Sequence, residues 1–265
     1  MTDDAPDVSL REAADHLGVH YMTAYRHVRT GRLPAELVEG HWRVRRRDLT
    51  RTEPRPAGRR PTAARLADRL VAGDEGGAWS LVEGALAGGR GPVDVHLDLL
   101  AGAMRLVGDR WAEGTTTVDE EHRATAVCHR LVGRLGPRFV RRGRNRGAVL
   151  LAAAPGDTHA LPVALAADVV RQAGWSVVDL GGSVPADAVA GAAAGTDRLV
   201  AVGMCASTTG QEPVLAEAVS AVRDAVPGVP VLVGGGAADA GLAERLGVDG
   251  WAADAAGLVA CLSDL

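Results

Sequence analysis

Four short, nearly continuous apolar runs, AVLLAAA (148–154), WSVVDL (175–180), RLVAVGM (198–204) and PVLVGGG (230–236), limit what the second half of the chain can fold into. Helical stretches follow them at about 162–173, 185–194, 212–225 and 239–246. A strand that is apolar along its whole length has no solvent face, so its sheet is covered on both sides, and strands alternating with helices pair in parallel. A last strand at Gly250–Ala252 and a C-terminal helix complete a doubly wound α/β domain over residues 147–265. Its ligand belongs at the C-terminal ends of the strands.

Upstream the pattern changes twice. Ser9 is placed to cap a helix whose Leu10, Ala13, Ala14 and Leu17 repeat at helical spacing. Gly18-Val19-His20 breaks it, and a second helix runs from about Tyr21 to Thr30. Two short alternating runs follow, Glu36–Val38 and Trp42–Arg45, joined at Glu39-Gly40-His41. That order is helix, turn, helix and hairpin, or wing, over residues 1–53. The stretch RTEPRPAGRRPT has no apolar periodicity and makes a linker, centred on residues 54–62. Residues 63–142 are helical at roughly 63–72, 77–88, 92–112 and 117–139, with Leu97, Leu100, Ala101, Met104 and Val107 on one stripe, which predicts a small four-helix bundle.

A formal net charge of −4 argues against nucleic acid on average, but residues 20–60 hold eleven arginines against Glu36, Glu39, Asp48 and Glu53. A basic patch in an acidic chain predicts one domain that touches phosphate. The chain has no lysine, which reflects base composition more than function. Cys128, Cys205 and Cys261 form no CxxC, so a reducing cytosol is expected. The acidic start MTDDAPD is no signal peptide, and the apolar runs are too short to span a bilayer, so the expected location is cytoplasmic. No Ser-His-Asp set, P-loop or metal cluster suggests catalysis.

The first strand of the α/β domain leads into Pro155-Gly156-Asp157-Thr158-His159, a ligand position. Asp157 can hold the far ring nitrogen of His159, fixing its tautomer and making the other nitrogen a better metal ligand. The alternative is that Asp157 caps the next helix and His159 is merely exposed. At the same sheet edge come Cys205-Ala206-Ser207-Thr208, then Gly234-Gly235-Gly236, where backbone is expected to approach a ligand closely, then Trp251.

Together these residues resemble the cobalamin-binding domain family, with its Asp-x-His-x-x-Gly, Ser-loop and Gly-Gly pattern, over about 147–262. The resemblance implies that His159 is the lower axial ligand to cobalt, that Asp157 supports it, and that the cofactor's displaced base lies beside the Ser207–Thr208 and Gly234–Gly235 loops. Pro162 stands where the family has Gly, and Cys205 where it has Ser.

In the helical region, GDRWAEGTTTVDEEHRAT carries Trp111 followed by Glu121-His122. Singly these read as core packing and a solvated helix face. As a set they resemble the Trp-x9-Glu-His signature in the helical cap of CarH/LitR-type photoreceptors. That resemblance implies adenosylcobalamin, with Trp111 over the upper face of the corrin and Glu121 and His122 lining the same pocket. Some members carry a cobalt-capturing His immediately after the Trp, where this chain has Ala112; His122 and His129 are the available substitutes. The first domain resembles the MerR/excisionase-type winged helix-turn-helix, which implies Thr23, Tyr25, Arg26 and Arg29 in the major groove, with His41 and Arg43 at the wing. Trp42 and Val44 serve either the wing tip or its core, Val44 more naturally the core.

The whole reads as a multidomain regulator: an all-α winged helix-turn-helix, a four-helix bundle cap, then a doubly wound Rossmann-like cobalamin-binding domain. The implied partners are operator DNA and further copies of the chain, as a dimer or tetramer, with no membrane. The implied signal is light acting on adenosylcobalamin. The alternatives are a light-independent sensor of cobalamin or of another tetrapyrrole such as a bilin, a corrinoid carrier of a methyltransferase system, and a cofactor-free dimerisation module.

Overall fold

The computed structural model describes residues 7–16, 28, 33–38, 41–46, 49, 62–139, 143 and 145–265. The chain divides into two compact units, Met1–Arg60 and Pro61–Leu265.

In the first unit, β1 (Val8–Ser9) leads into α1 (Leu10–His16), and β2 (Glu36–Val38) pairs with β3 (His41–Val44). Ser9 and Glu12 close a reciprocal cap: the Glu12 N–H donates to the Ser9 hydroxyl at 3.2 Å, and the Ser9 N–H to the Glu12 carboxylate at 2.8 Å. The three strands form an antiparallel sheet in the order β1-β3-β2, with Val8 opposite Val44 and Leu37 opposite Trp42. Val44 is fully buried with Leu10, Ala13, Ala14, Leu33 and Leu49, and the half-buried Trp42 packs against this core. Both residues therefore serve the core of the unit. Sequence periodicity gave no hint of β1, which has only two residues. The second helix, with Thr23, Tyr25, Arg26 and Arg29, lies outside the described residues.

The second unit begins with α2 (Ala63–Val71), α3 (Glu75–Ala87), α4 (Pro92–Asp94), α5 (Ala101–Ala112) and α6 (Val118–Leu135), closed by a 3-10 turn at Gly136–Phe139. Thr62 and Asp74 cap the first two helices, accepting from the N–H groups of Arg65 and Gly77. Between α4 and α5, Val95–Leu100 is π-helical. Its i→i+5 bonding turns the inward face, so Val95, His96, Leu99 and Leu100 are buried whereas Leu97, expected on the apolar stripe, is only half-buried.

The α/β part contains β4 (Ala148–Ala153), α7 (Ala160–Gln172), β5 (Ser176–Asp179), α8 (Ala186–Ala194), β6 (Leu199–Cys205), α9 (Glu212–Ala225), β7 (Val231–Gly234), α10 (Ala240–Leu246), β8 (Gly250–Ala252) and α11 (Ala255–Asp264). All five strands are parallel, in the order β5-β4-β6-β7-β8. The chain leaves β4 on one side to build β5 and returns on the other to build β6, so the loops after β4 and β6 diverge and leave a crevice.

α7 belongs to two cores. Val163, Ala167 and Val170 pack on the sheet, whereas Leu161 and Leu165 pack among the helices of α2–α6. On that second face, His96 Nε2 lies 3.1 Å from the Asp168 carboxylate, both side chains buried, and Asp168 also accepts from Arg171 at 2.9 Å. The His96 ring packs on Phe139, and its Nδ1 finds no hydrogen-bond partner among the described residues. We expect His96→Leu to lower stability by about 2 kcal/mol, because a buried carboxylate loses a donor, and His96→Leu with Asp168→Leu to recover part of it. A urea double-mutant cycle without coupling between the two positions would remove this pair from the interface.

Candidate functional site

The crevice between the β4 and β6 loops is organised by one carboxylate. The Asp157 side chain is fully buried, which alone would push its pKa up, but three N–H groups point at it. The Ser207 backbone N–H donates to Oδ2 at 2.7 Å, while the His159 backbone N–H and ring Nδ1 donate to Oδ1 at 3.0 and 2.7 Å. These donors win, and the carboxyl is held below its ordinary value. Since a carboxylate only accepts, Nδ1 carries the proton and the free lone pair of His159 is on Nε2. The imidazole is half exposed at the N-cap of α7. The arrangement is therefore a pre-oriented imidazole with a buried acceptor behind it, the form a single-histidine metal ligand takes.

The walls come from neighbouring loops. The Ser183 N–H donates to the Asp157 carbonyl at 2.6 Å, from a residue at φ 52°. A Cβ on Gly182 would lie 2.9 Å from the Thr158 carbonyl, so the loop after β5 is pressed against the His159 loop. The sequence signal for this wall was Gly181-Gly182, which periodicity treats as a mere strand end. On the other side Cys205 is half-buried, with Sγ 3.9 Å from the Ser207 hydroxyl. Burial pushes its thiol up to about 11, so it is a neutral group at ordinary pH. Thr158 and Thr208 are exposed.

Gly234 and Gly235 have an intramolecular cause. Added Cβ atoms would lie 2.9 Å from the Ala252 carbonyl and 2.4 Å from the Ala206 carbonyl, so these glycines dock the β7 loop onto its neighbours. Gly236 is open by comparison, with its nearest contact at 3.9 Å. Trp251 is exposed on edge strand β8, three strands from β4, or roughly 14 Å at ordinary strand spacing.

The helical residues form a second group. Trp111, at the end of α5, is half exposed. On the first turn of α6, Glu121 accepts from the Thr125 hydroxyl at 2.8 Å, and His122 Nδ1 lies 2.8 Å from the Val118 carbonyl and 3.0 Å from the Glu121 carboxylate. Both neighbours are acceptors, so His122 too keeps its lone pair on Nε2. Among the described residues no hydrogen bond or ion pair joins this group to the His159 loop. His129, further along α6, is lowered by burial, with the charge of Asp179 at the end of β5 opposing; it stands on the side of α6 toward the sheet's C-terminal edge. Sequence reasoning missed His96 and Asp168, because a buried polar pair leaves no periodic signature.

Comparison with known proteins accords with this layout. Residues 62–135 and 147–260 match two family models, each described as a B12 binding domain, and residues 8–51 match a helix-turn-helix domain. The chain joins B12-binding domains to an N-terminal helix-turn-helix. It is 26% identical to a corrinoid protein of Desulfitobacterium hafniense over 71% of this chain and 89% of that protein. It is 34% identical to the HTH-type transcriptional repressor CarH of Myxococcus xanthus over 59% of this chain, and spans about half (52%) of that repressor's length. The second unit has the fold of the Methanosarcina barkeri monomethylamine corrinoid protein, at TM-score 0.68 and 22% identity over 76% of this chain and 97% of that structure. The matched domains are cofactor-binding domains. Among the described residues no helix is long and apolar enough to cross a membrane.

Proposed function

We propose that the chain is a cobalamin-sensing DNA-binding regulator and that His159 is the lower axial ligand to cobalt. The Asp157–His159 pair carries the reading: Nδ1 is committed to a buried carboxylate, so Nε2 is offered outward at the switch point of the sheet. The helix-turn-helix match and the likeness to CarH support the regulatory half. In this reading residues 1–53 bind operator DNA through Thr23, Tyr25, Arg26 and Arg29, with His41 and Arg43 beside the backbone. Residues 54–62 link them to the cap (63–142) and the cofactor domain (147–265), in the cytoplasm. Cys205, Ser207, Thr208, the Gly234–Gly236 loop and Trp251 border the channel for the cofactor's base.

When bound as adenosylcobalamin, the cofactor supplies a cobalt–carbon bond that visible light breaks. Trp111, Glu121 and His122 would line the side of the pocket that faces the upper group. In this reading a dark dimer or tetramer would give way to a smaller species on illumination, because contacts to the upper group would favour one arrangement of the unit. Linked weak DNA contacts then lose their avidity. A second reading, a light-independent sensor of cobalamin or a bilin, is favoured by Ala112, which stands where some photoreceptors carry a cobalt-capturing histidine.

The test is purification in darkness with adenosylcobalamin, followed by absorption spectra and solution mass before and after green light. Spectral conversion with a change in mass supports the first reading; a bound cofactor with no change in mass or DNA binding supports the second. His159→Ala is expected to alter the cobalt absorption bands and to weaken cobalamin binding at least tenfold. An unaltered spectrum and affinity would remove His159 from the cobalt.

A further inference from the structure

Eight arginines and no acidic residue lie between Glu121 and Asp157. Two of the eight, Arg123 and Arg130, face a carboxylate within 4 Å, as do Arg69, Arg110, Arg223 and Arg245 elsewhere in the second unit. Arg134 and Arg146 instead lie flat over Trp79 and Trp175, 3.8 and 3.7 Å from the ring centroids. Arg198 donates to the Asn145 carbonyl at 3.1 Å, and Arg138 is exposed on the 3-10 turn. A guanidinium stacked on an indole is fixed in plane while its N–H edge stays free, a form suited to two-point contact with phosphate.

The position is also distinct from the cofactor crevice. Asn145–Gly147 lead into β4 and Arg198 into β6, so Arg146 and Arg198 stand at the N-terminal edge of the sheet, joined through Asn145. The His159 loop is at the opposite end of β4, six residues or roughly 20 Å away. Asp197 is the nearest acid to Arg198 in sequence; it is exposed, and among the described residues it has no ion-pair partner.

We propose that Arg138, Arg146 and Arg198 form a second surface for DNA phosphates, on the edge of the cofactor unit that faces away from the cofactor. The inference rests on the DNA-binding reading above. Such a surface reads no sequence; it adds affinity and salt dependence to what the helix-turn-helix recognises.

The experiment uses the full chain and a random-sequence DNA duplex, with affinity measured across a potassium chloride series. Each phosphate contact contributes about 0.9 to the slope of log affinity against log salt. Arg138→Gln with Arg146→Gln and Arg198→Gln is expected to reduce the slope by about 2–3 and low-salt affinity at least tenfold, with cobalamin binding unchanged. Because Arg146 stacks on Trp175, a second variant, Arg138→Gln with Arg198→Gln, tests the same surface without touching that stack. Slopes equal to that of the unaltered chain in both variants overturn the proposal while leaving the helix-turn-helix reading intact. A chain with no affinity for the duplex overturns both. Retained DNA slopes with a lost slope on single-stranded RNA assign the surface to RNA and also overturn it.

Discussion

Replacing Asp157 by alanine is expected to lower stability by about 4 kcal/mol and cobalamin affinity by a further 10–100-fold. The stability loss follows from three donors that converge on one buried carboxylate; without it the N–H of Ser207, the N–H of His159 and the His159 ring are left unpaired or turned to water. The affinity loss has a separate cause. Without an acceptor behind Nδ1, the ring spends time as the other tautomer and in other rotamers, and its lone pair no longer points one way. Asp157→Asn separates the two: its amide oxygen keeps one acceptor and part of the stability, whereas binding stays weak. The carboxyl is also a pH sensor of known sign. Its pKa is depressed in the folded chain, so its contribution is complete above the unfolded value of about 3.9 and lost as pH falls through the folded value. An acid titration of the unaltered chain should therefore show a stability loss below about pH 4 that Asp157→Ala lacks. A variant within 1 kcal/mol of the unaltered chain that binds cobalamin equally would sink the role assigned to this residue.

Gly235→Ala is expected to cost about 4 kcal/mol, or roughly 10 °C in melting temperature. Two penalties act together. The residue sits at φ 104°, which a side chain rarely adopts, and its Cβ would meet the Ala206 carbonyl at 2.4 Å and Cys205 Sγ at 2.9 Å. Neither neighbour can retreat easily, because the Ala206 N–H donates to the Gly234 carbonyl and the Ala237 N–H to the Ala206 carbonyl. Gly156→Ala is the control. It has a comparable φ of 81° but nothing within 4 Å, so only the backbone penalty of about 1–2 kcal/mol remains. Calorimetry on both variants decides the matter: equal losses would mean that the close approach at Gly235 contributes nothing.

The inner strands of the parallel sheet were legible because burial on both faces leaves an unbroken apolar run, as at Ala148–Ala153 and Val231–Gly234, whereas the edge strands Ser176–Asp179 and Gly250–Ala252 are partly exposed and carry a weaker pattern. The His159 loop was legible for a related reason, since topology fixes which loops meet and Asp157-x-His159 has the reach for a ring contact. What escaped were features without local repetition. The π-helical turn at Val95–Leu100 shifts the inward face by part of a turn, which a 3.6-residue pattern cannot register. The His96–Asp168 pair joins residues 72 apart, each looking like a surface group on its own helix. The Gly234-Gly235 run was visible, but its close approach to the Ala252 and Ala206 carbonyls within the chain was not, because it depends on which loops the fold brings together.

One consequence of the double allegiance of α7 concerns where the chain can be divided. A fragment ending before β4 would expose the bundle surface that Leu161 and Leu165 cover, and one beginning at β4 would carry those leucines and Asp168 on an open face. The helical and α/β parts pack as one compact unit, so a single melting transition is expected for them. The same clamp fixes the frame of any signal that arises at His159. The helix it caps is packed between two cores, so the His159 loop is tied to both.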